Sequence, residues 1–162
     1  MGYSVLRKFI TLIICILICQ MAGIIGSFFT TPAISTWYAT LSKPSFTPPD
    51  SVFAPVWTTL FLLMGISLFL IWQKWGYIDT MQQALILFGI QLLLNILWSV
   101  IFFGLHSPFA AFIEIIFLWI SIAYTIMVFF TISRIAGILL VPYILWVSFA
   151  AFLNFMIWRL NV

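Results

Sequence analysis

Apolar residues run almost without interruption through five windows of the chain, at roughly 9–29, 53–72, 82–103, 109–130 and 135–158. A helix needs about 20 residues to cross a bilayer, and each window meets that length. The pattern predicts an all-α integral membrane protein, a five-transmembrane-helix bundle forming a single domain over 1–162. Only the fourth window carries a charge, Glu114. Connections at 73–81, 104–108 and 131–134 are short, which forces their flanking helices to run antiparallel. One connection, 30–52, is long.

That long connection leads into the stretch that breaks the pattern, WYATLSKPSFTPPDSVFAPVWTTLF at 37–61. It carries Pro44, Pro48, Pro49 and Pro55 together with Lys43 and Asp50. Proline fixes φ, removes an amide donor and pushes the preceding residue towards extended backbone. A stiff, non-helical strap is therefore expected, closing one end of a cavity. Asp50 is expected to cap the second span, and Pro55 to loosen its first turn or delay its start.

Within the spans, a few polar and small positions share helical faces. Cys15, Cys19, Ala22 and Gly26 form a small-residue stripe in the first span, suited to close helix packing. Trp57, Phe61, Met64, Gly65 and Leu68 line one face of the second. In the third, Gln91, Asn95, Trp98, Ser99 and Phe102 align. Amides are costly in lipid unless bonded, so this face points into the bundle, as helix–helix glue or as ligand contact. Glu114 shares a face with Ser121 and Thr125 and is expected near a solvated or dipole-stabilised helix start. In the fifth span Pro142, Trp146, Ala150, Leu153 and Asn154 align. Pro142 is expected to kink that helix and open space beside Trp146. Trp158 and Arg159 read as an interfacial anchor.

Composition rules out a water-soluble domain. Of 162 residues, 65% are hydrophobic and 6% charged, with mean hydropathy +1.29; so few charges cannot cover a soluble surface. The net charge of +3 rests on six cationic and three acidic residues that form no basic face, so no nucleic-acid partner is expected. The cations instead report topology. Arg7, Lys8, Lys74 and Arg134 fall on one side of the membrane and Lys43 and Arg159 on the other, which favours a cytoplasmic N-terminus. Five spans place the strap and the C-terminus on the same face. The first apolar run is too long for a signal-peptide core and lacks a small-x-small cleavage site, so it reads as a retained helix.

Conventional catalytic chemistry has no foothold. There is no nucleotide-binding loop, metal-ligand set or nucleophile–base pairing, and no cofactor or metal is expected. His106, the single histidine, reads as a turn residue. Cys15 and Cys19 lie one turn apart, where a disulfide would constrain little. The distinctive resource is aromatic, at 19% of residues with eight tryptophans. Trp57, Phe61, Trp98, Phe102 and Trp146 can converge beneath the strap, joined by Tyr38. Such walls suit a large, flat, mostly apolar ligand, although the same spacing also serves plain packing.

Four segments carry a resemblance. They are AGIIGSFFT at 22–30, WYATLSKPSFTPPDSVFAPVWTTLFLLMG at 37–65, LNILWSVIFFGLHSPFAAFIEI at 94–115 and VPYILWVSFAAFLNFMIWRLN at 141–161. In that order they resemble the translocator protein family (TspO/MBR, tryptophan-rich sensory proteins, peripheral-type benzodiazepine receptors) over essentially the whole chain. The resemblance implies a five-helix bundle, usually a homodimer, with a ligand pocket under the loop between the first two spans. It implies porphyrins, notably protoporphyrin IX, and isoquinoline or benzodiazepine compounds as ligands, and cholesterol in animal members. It also implies an alternative activity, light- and oxygen-dependent degradation of protoporphyrin IX, with Trp57 and Trp146 at the positions implicated. Ligand-contact positions carry onto Tyr38, Pro48, Phe61, Asn95, Phe102 and Ala150; Trp98 joins them from the aromatic face. The animal sterol motif needs a tyrosine where this chain has Phe155, which argues against cholesterol and fits a bacterial member in the cell membrane.

Overall fold

The computed structural model describes residues 2–75 and 80–162, and all the long elements among them are helices. They are α1 (Gly2–Ile34), the short α2 (Trp37–Thr40), α3 (Asp50–Trp72), α4 (Met81–Ser99), α5 (Pro108–Ile132), α6 (Arg134–Leu139) and α7 (Val141–Leu160). A five-residue π-helical stretch, Val100–Gly104, continues α4. Five continuous or nearly continuous rods of 23 to 31 residues are long and apolar enough to cross a membrane, the fifth being α6 and α7 together. The protein is thus a multi-pass, all-α integral membrane protein. Residues 76–79 of the expected 73–81 connection lie outside the described residues.

The rods close into a ring. α1 packs on α3 and α4, α4 on α5, α5 on α7, and α3 on α6. Small residues set the closest approaches. A Cβ on Gly65 would lie 2.6 Å from the Ile16 Cα, and one on Gly26 would lie 3.1 Å from the Ser99 Oγ. Cys15, Cys19 and Ala22 are buried on the same face of α1, so the small-residue stripe serves packing within the chain. The outward faces are mostly apolar, with Leu93, Phe117 and Leu145 each at least 60% exposed, as lipid contact requires.

Several expectations are corrected. α1 continues through Pro32 to Ile34 instead of ending near 29. A proline in the last turn forfeits only one hydrogen bond, and the freed end is capped by Thr36, whose Oγ1 donates to the Pro32 carbonyl at 2.8 Å. The strap is partly helical, because Trp37–Thr40 forms a single turn. α3 starts at Asp50, three residues before the expected 53, and Pro55 sits inside it. Pro49 occupies the cap position, so Asp50 is the first helical residue and caps nothing through its side chain. The fifth rod breaks at Leu140, and Pro142 lies in the first turn of α7, where its missing N–H costs least. The break therefore precedes the proline. Ser133 ends α5 and starts α6, with its Oγ accepting from the Ala136 N–H at 3.4 Å.

Glu114 is the largest departure. It is the seventh residue of α5, only 7% exposed, on the inward face with Ala111, Ile115 and Leu118. Neither carboxylate oxygen has a hydrogen-bond partner among the described residues. The helix start is capped instead by Ser107, whose Oγ accepts from the Ala110 N–H. One turn or more beyond the end, Glu114 gains little from the helix dipole.

Candidate functional site

A cavity of about 360 Å³ lies inside the ring at the strap end. Each rod that reaches it delivers a large side chain for a local reason. On α3, Trp57 stacks on Phe61 at 5.6 Å and meets Tyr143 edge-on at 6.3 Å. On α4, Trp98 stacks on Phe102 at 5.1 Å. The π-helical stretch adds a residue to that turn, with the Leu105 N–H donating to the Val100 carbonyl at 2.8 Å. This widening brings both Phe102 and Phe103 against Tyr38, with centroids 6.2 and 5.7 Å away. On α7, Trp146 meets Phe53 at 6.0 Å.

Polar atoms are few and mostly committed. Asn95 donates from Nδ2 to the Tyr143 hydroxyl at 3.0 Å. Trp98 Nε1 donates to Asn154 Oδ1 at 3.1 Å, and Asn154 Nδ2 donates to the Pro108 carbonyl at 2.8 Å. These bonds tie α4, α7 and α5 together around the cavity. The Trp146 indole N–H is shielded from solvent and makes no hydrogen bond within the described structure. Asp50, at the mouth, is the one charged residue among the described lining.

The cavity also opens sideways. Ile24, Ser27 and Thr31 of α1, with Ala54 and Thr58 of α3, line it while remaining exposed on the lipid-facing surface. The two helices are pressed together lower down, at Gly65 and Ile16. Gln20 Nε2, donating to the Thr58 carbonyl at 3.0 Å, marks the foot of this seam.

Above the cavity, the strap is fastened at Trp37 and again in its middle, from Ser42 to Phe46. Trp37 stacks on His106 at 4.5 Å with planes 16° apart. His106 holds φ at 53°, a left-handed conformation rare outside glycine, which turns the chain from the π-helical stretch into α5. Lys43 Nζ lies 4.1 Å from the centre of the Tyr38 ring. Further on, Phe46 stacks on Phe152 at 5.4 Å, and Asn161 clasps the Ser42 backbone. Burial, with the Asp50 carboxylate second, pushes the Tyr38 phenol up to about 12.

Of the anticipated positions, Tyr38, Trp57, Phe61, Asn95, Trp98, Phe102, Trp146 and Ala150 all border this one cavity. Pro48 does not; it lies in the strap outside the lining. Sequence reasoning overlooked Phe53, Asn161 and the glycine at 23, where a Cβ would come within 2.7 Å of the Phe61 ring. Aromatic periodicity could have flagged Phe53, one turn before Trp57. No local signal marks Asn161.

Residues 15–159 match the model of the TspO/MBR family. A tryptophan-rich protein TspO of Chlorobaculum tepidum is 45% identical over 159 residues, covering 96% of this chain and 98% of that protein. One of the same name from Archaeoglobus fulgidus is 45% identical over 139 residues, covering 86% and 89%. The human translocator protein is 36% identical over 140 residues, covering 85% and 82%. With the five-rod bundle and this extent of similarity, the chain belongs to the TspO/MBR family.

Proposed function

We propose that the protein binds a porphyrin, or another flat and largely apolar tetrapyrrole, in the aromatic cavity, and acts as a membrane sensor or carrier of that ligand. The observation that carries this reading is the convergence of Trp57, Trp98 and Trp146, from three different rods, on one cavity. Flat rings stack favourably on indole faces, and a volume of about 360 Å³ is within the range of small-molecule sites. The seam between α1 and α3 gives a wide macrocycle room at one edge. The uncommitted Trp146 N–H supplies a donor for orientation. Relatives named tryptophan-rich sensory protein and translocator protein support sensing or carriage as the purpose. Isoquinoline and benzodiazepine compounds would compete for the same walls. A homodimer in a bacterial cell membrane is the assembly and setting proposed.

Titration of the purified protein with protoporphyrin IX, followed by tryptophan quenching and ligand absorbance, tests the reading. Saturable binding that falls at least tenfold in a Trp57→Ala, Trp146→Ala double variant is expected. Equal affinity in that variant would remove the cavity from the account. The photo-oxidative alternative is favoured only if illumination in oxygen yields a product that Trp57→Phe abolishes; bleaching at the rate of free porphyrin in detergent rejects it.

A further inference from the structure

At the opposite end of the bundle from the cavity, a groove of about 700 Å³ lies between the first turns of α1 and the end of α3. Arg7, Lys8 and Thr11 line one wall, and Trp72, Gln73 and Trp75 the other. No acidic residue lines it among the described residues. Two of the chain's six cations are therefore gathered beside a tryptophan pair, stacked at 5.2 Å with planes 25° apart. The membrane-spanning part of α1 begins at Ser4 and that of α3 ends at Trp72, so the groove sits where apolar core gives way to headgroups. Along α1 on the side of Arg7 and Thr11 run exposed Ile14 and Ile18.

From this arrangement we propose that the groove is a binding site for the headgroup of an anionic phospholipid. The phosphodiester is held by the Arg7 guanidinium and the Lys8 ammonium, the first able to grip two phosphate oxygens at once and the second acting as a point charge. The stacked Trp72 and Trp75 rings form the floor at the glycerol level, where indoles are favoured. The acyl chains lie along the Ile14 and Ile18 side of α1. Charge decides the class of lipid. A zwitterionic choline could stack its ammonium on an indole, but Arg7 and Lys8 repel it, and no carboxylate in the described lining offsets them. A headgroup site here fastens the start of α1 to the end of α3, at the end of the molecule away from the strap. It is independent of which ligand occupies the aromatic cavity.

The test uses the full-length protein in vesicles and reads quenching of its tryptophan fluorescence by brominated lipid. Brominated phosphatidylglycerol is compared with brominated phosphatidylcholine at equal mole fraction. Enrichment of the anionic lipid on the order of fivefold per engaged cation is expected, decreasing as salt is raised. The double variant Arg7→Gln, Lys8→Gln should lose the preference while keeping its fold, since both positions are exposed. The double variant Trp72→Phe, Trp75→Phe should lose the extra quenching by the anionic lipid, and extra quenching that persists without these two indoles places the lipid elsewhere and overturns the proposal. Equal quenching by the two lipids in the unaltered protein overturns the proposal, as does a preference that survives removal of both cations. Displacement of the brominated anionic lipid by millimolar glycerol phosphate would show a site for free phosphate and overturn the lipid assignment.

Discussion

Asn161 grips the backbone of Ser42 with both ends of its amide. Its Oδ1 accepts from the Ser42 N–H and its Nδ2 donates to the Ser42 carbonyl, each at 2.9 Å, across 119 residues of chain. Nδ2 also donates to the Ile157 carbonyl at 2.7 Å, so the same side chain closes the end of α7. The strap is thereby pinned to the last residues of the fifth rod, beyond the membrane boundary where water competes for each bond. Replacing Asn161 with Ala should release the middle of the strap at a cost of about 1–2 kcal/mol, the net worth of two such bonds. Hydrogen exchange at the Ser42 amide, about tenfold faster or more in the variant, measures it. Exchange unchanged from the parent would mean that Phe46 on Phe152 holds the strap alone.

The two glycines of the α1–α3 contact should fail in different ways. A Cβ at Gly65 meets backbone, the Ile16 Cα at 2.6 Å, so Gly65→Ala forces the rods apart and should lower stability by about 1–3 kcal/mol. A Cβ at Gly23 meets the Phe61 ring at 2.7 Å, and that ring borders the cavity. Gly23→Ala should therefore push Phe61 inward and weaken porphyrin binding more than it lowers the melting temperature. Thermal unfolding in detergent and ligand titration, run on both variants, separate the two effects.

If ligand enters from the bilayer, the seam between Ser27 and Ala54 is its door. Both residues are exposed and both line the cavity from opposite helices. Ser27→Trp should slow association of membrane-dissolved porphyrin by roughly tenfold, because an indole at that position fills the seam. Stopped-flow quenching measures the rate. An unaltered rate with intact affinity would move entry to the strap.

The Tyr38 phenol links strap docking to alkaline pH. Its ordinary value of 10.0 is raised to about 12 in the docked strap, burial being the main cause. Below pH 10 the phenol is neutral whether the strap is docked or released, so docking is undiminished there. Between 10 and 12 a released strap ionises and a docked one does not, and docking weakens as pH rises through that window. The difference in tyrosinate absorbance between the parent and Tyr38→Phe should therefore appear near 12. A difference near 10 would show that Tyr38 is solvated.

The five rods and the aromatic walls were legible because both are written locally. Unbroken apolar runs need no tertiary information, and Trp57, Trp98 and Trp146 each sit in a helical register that turns them inward. What escaped depends on contacts between distant segments. Asn161 and Ser42 are polar residues near chain ends or loops, a description that fits any solvated position. The burial of Glu114 depends on where α5 starts, which the π-helical stretch and Ser107 decide together. Pro48 follows the same rule from the other side, since a loop residue's distance from a cavity is not encoded in helical spacing.

Asn95 is the position where packing and binding can be told apart. Its Nδ2 donates to the Tyr143 hydroxyl at 3.0 Å, and its side chain also borders the cavity. Tyr143→Phe removes the acceptor and leaves the amide in place; Asn95→Leu removes the amide and strands the hydroxyl. If the bond is glue between α4 and α7, each variant should lose about 1–2 kcal/mol of stability, and the double variant should lose little more than either single one. Porphyrin affinity should then be preserved in Tyr143→Phe, whose freed amide still faces the same wall. A drop in affinity in Asn95→Leu that Tyr143→Phe does not share would assign the amide to the ligand as well as to the fold.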